Sequence, residues 1–209
     1  MVDFQELRRR MVMRDIVGRG IRTASVLEAI GRVPREDFVP DELRKAAYDD
    51  MPLPIGDGQT ISQPYIVALM IEAAHLGPDD TVLDIGTGSG YAAAVLAEIA
   101  HRVISVERIA GLAAAATKRL ATAGYHNVTV IVGDGTAGAA QHAPFDAILA
   151  AAAGVEVPKA WVQQLVPGGR IVLPLSYPGG EQELIRITSH GDGETTRQSL
   201  GAVRFVPLV

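Results

Sequence analysis

The chain has 209 residues, a formal net charge of −5 at pH 7 and no cysteine. This length suits one domain with a sizeable core, and a composition that is 48% hydrophobic and 21% charged excludes a disordered chain. The absence of cysteine excludes disulfides and thiolate metal ligands. The acidic balance disfavours a general nucleic-acid-binding protein, because the one arginine cluster, Arg8–Arg10, fits the solvated side of a helix. Without signal-peptide features or a membrane-length apolar run, we expect a soluble cytoplasmic protein.

The first third of the chain predicts two helices and a long loop. Residues 3–18 form an amphipathic pattern that ends at glycines, and a second helix follows Thr23 as N-cap. A further helix-like segment covers residues 42–47. Residues 47–64 hold three prolines and two glycines with no regular period, which predicts a loop, and long loops are often functional. A helix then runs from Pro64 or Tyr65 to His75, with either Ser62 or Gln63 as its N-cap.

The centre of the chain is a strand, a glycine turn and a helix in immediate succession. The apolar run 81–85 ends at Gly86, Gly88 and Gly90, and the helical stretch 91–100 begins at once. Glycine suits a turn that needs positive φ and a close approach of the backbone to a ligand. This order presents a nucleotide-like ligand at a helix N-terminus. Tyr91 stands where a dinucleotide fingerprint wants its third glycine, so an NAD-dependent oxidoreductase is disfavoured.

Two acids follow the next two predicted strands. Glu107 follows the strand 102–106, where its carboxylate could accept from a ribose diol, although a charge at the start of the helix 109–123 would explain it equally simply. Asp134 follows the strand 128–132, where it could accept from an adenine amine. Together with the glycine turn, these acids indicate a binding site for S-adenosylmethionine.

The last third alternates strand and helix before it turns antiparallel. Strands are predicted over 145–150, 171–175 and 203–208, with a helix over 157–165 and a turn over 166–170. The segments 183–190 and 194–200 read as a hairpin. The whole pattern predicts a largely parallel sheet with an antiparallel edge. The five histidines are scattered, so we expect no metal site.

At this point the chain resembles the protein-L-isoaspartate O-methyltransferases along nearly its whole length. The segments that carry the resemblance are Val33–Pro40, Pro52–Gly56, Gln59–Pro64, Leu83–Tyr91, Pro144–Ile148, Leu165–Arg170 and Val203–Leu208. The glycine motif alone would indicate only a methyltransferase. The loop that ends at Pro64 is what indicates the substrate class, because it resembles the signature loop of this family.

The resemblance implies a Rossmann-like class I methyltransferase fold, α/β, with a mostly parallel seven-stranded sheet, helices on both faces, an antiparallel C-terminal edge and added N-terminal helices. It implies a single domain, 1–209, in which residues 1–63 supply helices and the substrate and cofactor loop and residues 64–209 the cofactor-binding core. The activity implied is methylation, with S-adenosyl-L-methionine, of the free carboxylate of L-isoaspartyl residues in damaged proteins or peptides. S-adenosyl-L-homocysteine is the implied product, and we expect a monomer with no nucleic-acid or membrane partner.

The same resemblance assigns residues to roles. Ser62 is the expected catalytic residue, and it contacts the substrate together with Ile55 and Val206. The expected cofactor-binding residues are Gln59, Thr60, Ile61, Asp84, Gly86, Thr87, Gly88, Ser89, Tyr91, Glu107, Arg108, Asp134 and Gly135.

The chain departs from the family pattern at two places, and two alternative functions are also considered. Ala150-Ala151 stands where a hydroxyl-bearing pair is common, and Met51 where a basic residue is common. A methyltransferase for small carboxylic acids, or a non-catalytic cofactor binder, would keep the same motifs. Three Asp-Gly pairs, at Asp57, Asp134 and Asp192, are prone to isomerise, and we expect Asp192, in the predicted hairpin turn, to react first and to be a candidate site of self-methylation.

Overall fold

The computed structural model describes residues 2–191 and 194–208. Its centre is a seven-stranded sheet in the order β5-β4-β3-β6-β7-β8-β9, and a separate two-stranded sheet pairs β1 with β2. The strands are β1 (Leu53–Gly56), β2 (Gln59–Ile61), β3 (Thr81–Ile85), β4 (Arg102–Glu107), β5 (Val128–Val132), β6 (Phe145–Ala150), β7 (Leu165–Ser176), β8 (Gln182–Gly191) and β9 (Glu194–Ala202). Strands β3 to β7 pair in parallel, whereas β8 and β9 are antiparallel.

Helices cover both faces of the sheet. They are α1 (Phe4–Met11), α2 (Ala24–Arg32), α3 (Pro64–Ala74), α4 (Tyr91–Ala97), α5 (Ala110–Thr122) and α6 (Lys159–Gln163). Alternate strand residues serve two hydrophobic clusters: Val82 packs with α1 to α4, whereas Leu83 packs with Trp161 of α6. This period of two is what a sheet buried on both sides requires. The expected fold is therefore confirmed.

Strand order positions a ligand site. The chain runs from β3 outward through β4 and β5 and then returns to the other side of β3 with β6. In open α/β sheets, ligands bind beyond the carboxyl ends of the strands at such a reversal. The glycine turn follows β3 at this point.

The structure corrects several element boundaries. The predicted helix over 3–18 stays α-helical only to Met11, continues as a π-helical stretch, Val12–Ile16, and a 3₁₀ turn, Val17–Arg19, and ends at Gly20 with φ of 101°. Residues 42–47 are largely 3₁₀-helical. The predicted loop 47–64 contains the β1-β2 hairpin, in which a bulge beside Pro54 hides the strand period.

The C-terminal third also differs from expectation. The predicted turn 166–170 is part of β7, and the helix there spans only α6. The hairpin of β8 and β9 is confirmed, while Asp192, for which the sequence predicted a turn, lies outside the described residues. The predicted strand 203–208 is wrong: it makes one isolated bridge, Ala153 with Pro207, and otherwise runs as irregular chain. No described helix has the length and apolar character to cross a membrane.

Candidate functional site

A cavity of about 730 Å³ opens at the reversal point beyond β3. Its size is that of a small-molecule site. Of the residues predicted to bind cofactor or substrate, nine line it: Gln59, Thr60, Ser62, Gly86, Gly88, Glu107, Arg108, Gly135 and Val206. Five separate segments of the chain therefore meet around one space.

The glycine turn forms the floor of this cavity beside β3. Gly86, Gly88 and Gly90 all have positive φ, of 92°, 51° and 90°, which L side chains rarely adopt. A Cβ on Gly88 would lie 3.2 Å from Cδ1 of Ile55. Ile55 thus packs onto the turn from the β1-β2 hairpin, and the pair forms a close-fitting cradle that a larger residue would fill.

Glu107 stands at the C-terminal end of β4 with its carboxylate fixed from two sides. One oxygen accepts from the backbone N–H of Gly88 at 2.9 Å, and the other accepts from that of Ile109 at 3.0 Å. The side chain is largely buried yet lines the cavity. A carboxylate oxygen has room for further donors, so a ligand diol and these backbone groups can share it.

Asp84 lies within β3, off the wall of this cavity. Its carboxylate is 2% exposed and accepts from Ser105 Oγ at 2.6 Å, and Thr87 Oγ1 lies 2.5 Å from the same Ser105 oxygen. Burial raises the pKa of Asp84 to about 6, the nearby charge of Glu107 acts in the same direction, and the Ser105 bond opposes both. A second, much smaller cavity of about 20 Å³ lies between Asp84 and Ser62.

Of the two neighbouring residues Asp134 and Gly135, only Gly135 lines the cavity. The Asp134 carboxylate is exposed and accepts from the backbone N–H and the hydroxyl of Thr136, at 2.8 and 2.7 Å, which lowers its pKa. Gly135 lines the cavity, and a Cβ there would lie 2.5 Å from Cγ2 of Ile85. Trp161 Nε1 donates to the Gly135 carbonyl at 2.8 Å, which fixes this backbone to α6.

Ser62 presents an uncommitted hydroxyl to both cavities. Among the described residues no hydrogen bond engages its Oγ, and it is not the cap of α3. The N-cap is Gln63, and the capping acceptor comes from Asp50, whose carboxylate accepts from Tyr65 N at 3.1 Å and from Gln63 Nε2 at 2.6 Å. Arg19 Nη1 donates to the same carboxylate at 2.9 Å. Asp50 therefore fixes the loop while Ser62 stays available to a ligand.

The remaining predicted site residues lie off the cavity wall. Ile61 and Thr87 are buried, Ser89 is buried with its Oγ accepting from Tyr91 N, and Ile55 touches the turn as described. Tyr91 points away from the cavity into the segment formed by residues 2–50, called here the N-terminal layer, where its ring packs edge-on against Phe38 with the ring centres 5.7 Å apart. Within the described part of the chain, no group of His, Asp and Glu is arranged to hold a metal ion.

Comparison with known proteins shows to which family the chain belongs. Residues 7–209 match the family model of the protein-L-isoaspartate(D-aspartate) O-methyltransferases. A Marinobacter nauticus protein-L-isoaspartate O-methyltransferase is 56% identical over 207 residues, which are 99% of this chain and 94% of that protein. The chain belongs to the protein-L-isoaspartate O-methyltransferase family.

Solved structures of this family share the fold. One protein-L-isoaspartate O-methyltransferase superposes with a TM-score of 0.87 at 28% identity, over 96% of this chain and 65% of that one. A Plasmodium falciparum protein described as a family member, crystallised with S-adenosyl-L-homocysteine, superposes with a TM-score of 0.83 at 23% identity, over 100% of this chain and 99% of that one.

The contribution of the C-terminal segment, residues 203–208, to the cavity was largely not predicted from the sequence. Residues 203–208 all line the cavity, although only Val206 was predicted there. Backbone and side-chain bonds hold the segment: Val206 O accepts from Ala153 N at 2.7 Å, and Phe205 N donates to Gln182 Oε1 at 2.6 Å. Arg19, from the N-terminal layer, was also missed, since no local motif marks it.

Proposed function

We propose that the protein transfers a methyl group from S-adenosyl-L-methionine to the free α-carboxylate of L-isoaspartyl residues in damaged proteins, which initiates their repair. One structural observation carries the proposal beyond family membership. The uncommitted hydroxyl of Ser62 faces the same cavity as the glycine turn and Glu107. A donor for a substrate carboxylate and a cradle for the methyl donor therefore share one space.

Two features of the glycine turn and its surroundings support binding of the cofactor there: the close approach that the backbone allows, and a fixed hydrogen-bond acceptor. The turn at Gly86 and Gly88 lets the backbone approach closely, and the fixed carboxylate of Glu107 suits a ribose diol. We assign Gln59, Thr60, Arg108 and Gly135 to the rest of the cofactor's surroundings, because they line the same cavity. S-adenosyl-L-methionine supplies the activated methyl group, and the chain supplies orientation.

The acceptor needs little chemical help from the protein. A free carboxylate has a pKa near 4 and is ionised at neutral pH, so no general base is required. Correct alignment of the two reactants can lower the activation barrier by on the order of 7–11 kcal/mol. We assign Ser62 Oγ the task of holding the carboxylate by one hydrogen bond, with Ile55 and Val206 beside it. One neutral donor positions the group without over-stabilising a charge that decreases in the transition state.

The first test measures transfer of labelled methyl to two matched peptides, one with L-isoaspartate and one with normal aspartate. Base-labile label on the isoaspartyl peptide alone is the expected result. Label on neither peptide, while cofactor binding is intact, contradicts the proposal. Label on small carboxylic acids instead would favour a small-acid methyltransferase.

Ser62→Ala tests the assigned residue. Loss of one hydrogen bond to a charged group is expected to reduce kcat/KM for the isoaspartyl peptide by about tenfold or more, with little change in the dissociation constant of the cofactor. Ser25→Ala, on the exposed face of α2, is the matched control and leaves both values unchanged. A large loss of cofactor affinity in Ser62→Ala would contradict the role.

We further propose a cytoplasmic monomer that binds no nucleic acid. The net charge of −5 supports the last point, because phosphate backbones attract basic surfaces. Sedimentation analysis with and without oligonucleotides tests the monomeric state and the absence of nucleic-acid binding.

A further inference from the structure

The tip of the β1-β2 hairpin carries an Asp-Gly pair that stands at the edge of the cavity. Asp57 and Gly58 form its two-residue turn, with φ of 50° and 69°, as a type I′ turn requires. Both residues are exposed, and Gly58 lines the cavity itself. Gln59 and Thr60 follow directly on β2.

Chemical exposure distinguishes Asp57 from the other described Asp-Gly pair. Within the described residues, no donor contacts the Asp57 carboxylate; its backbone carbonyl accepts the one bond, from Gln59 Nε2 at 3.3 Å. Asp134 instead has two bonds to Thr136, and its Gly135 is wedged against Ile85. Reaction at Asp134 must first break those contacts, whereas Asp57 needs only a local opening of a short hairpin.

We propose that Asp57-Gly58 is a site of spontaneous isomerisation that inactivates the enzyme and turns the damaged copy into a substrate for an intact copy. The Gly58 nitrogen attacks Cγ of the protonated Asp57 carboxyl group, the N–Cγ bond forms, the Cγ–OH bond breaks, and the hydroxyl leaves as water with the amide proton. Water then opens the succinimide, at Cγ to restore aspartate or at the former α-carbonyl to give isoaspartate. No oxidant or cofactor is needed.

Isoaspartate at this position damages the cavity because of the hairpin's geometry. The side-chain methylene enters the backbone, so a two-residue turn can no longer close Gly56 onto Gln59 in the observed register. Ile55, which packs on Gly88, and Gln59, on the cavity wall, are displaced together. The new free α-carboxylate projects from an exposed tip, where a second molecule can reach it.

Ageing the purified full-length protein without cofactor, followed by peptide mapping that distinguishes isoaspartate from aspartate, tests the first half. Isoaspartate is expected to accumulate at position 57 about tenfold or more faster than at position 134, the factor that two ordinary hydrogen bonds can supply. Activity should fall in proportion to the fraction isomerised at 57. Equal rates at the two positions, or activity loss without modification at 57, would overturn it.

Asp57→Gly is the control variant, because glycine accepts a φ of 50° and has no carboxylate to cyclise. This variant is expected to keep the starting activity and to lose much less on ageing. If it loses activity as fast as the original chain, the proposal is wrong.

The second half rests on the proposed function. Aged protein, heat-inactivated and offered to fresh enzyme with labelled S-adenosyl-L-methionine, should accept methyl at residue 57, and an isoaspartyl peptide runs in parallel. Labelled peptide with unlabelled aged protein overturns self-repair. An unlabelled peptide refutes the proposed function instead, while the mapping at position 57 still decides the isomerisation.

Discussion

The buried carboxylate of Asp84 predicts that the ligand-free protein becomes less stable as the pH rises. Its pKa is raised from 3.8 to about 6, mainly because burial penalises the charged form. A folded-state pKa above the unfolded value means that the folded protein holds this proton more tightly. The stability contributed by Asp84 is therefore complete below pH 3.8 and is lost as the pH rises through about 6.

A difference of about 2 pKa units at about 1.4 kcal/mol each amounts to about 3 kcal/mol, of which most falls between pH 4 and pH 7.5. Asp84→Asn removes the titration and keeps an acceptor for Ser105. Between these two pH values, the original chain should lose about 2–3 kcal/mol more unfolding free energy than Asp84→Asn. This double difference cancels the cost of an amide left without a partner.

Urea unfolding of both proteins at the two pH values, without cofactor, measures the quantity. Ser105→Ala is an informative second variant: it removes the hydrogen bond that favours the carboxylate, so its pH dependence should be steeper than that of the original chain. An identical pH dependence in the original chain and Asp84→Asn would refute the reasoning, as would a shallower one in Ser105→Ala.

Two further substitutions test how the cavity wall is held. Gly135→Ala places a Cβ 2.5 Å from Ile85 Cγ2 and should cost about 1–3 kcal/mol in urea unfolding; adding Ile85→Ala should make the double variant more stable than the sum of the single losses, and additive losses would contradict the clash. Asp50→Ala removes the capping acceptor of Tyr65 and should cost about 1–2 kcal/mol and lower kcat, because Ser62 lies in the loop it fixes; an unchanged melting temperature would contradict this.

The central motif could be predicted from sequence because its signals are local. The apolar run of β3 leads directly into three glycines, and each glycine proved to need positive φ. The role of Glu107 could be predicted from its position directly after the strand 102–106, since parallel strands end at the same edge of a sheet. Side-chain direction was less predictable: Tyr91, directly after Gly90, faces Phe38 and Arg35 in the N-terminal layer instead of the cavity.

Other parts of the site depend on contacts between distant segments. Arg19 reaches the loop through Asp50, 31 residues away, and its guanidinium lies 3.4 Å from the ring centre of Tyr65. The segment 203–208 was predicted as a strand. Its backbone instead meets Gln182 and Ala153, which lie in different parts of the fold.

Because separate segments of the chain form the cavity wall, ligand binding is coupled to the packing of those segments. The N-terminal layer, the hairpin, the glycine turn and the C-terminal segment each supply part of one cavity, so a ligand contacts all of them only when all are docked. A ligand that binds only the assembled state adds its binding free energy to each of these docking equilibria. Damage at the exposed tip of the hairpin therefore acts on more than the hairpin: by displacing Ile55 from Gly88, it weakens one contact between the hairpin and the glycine turn of the core.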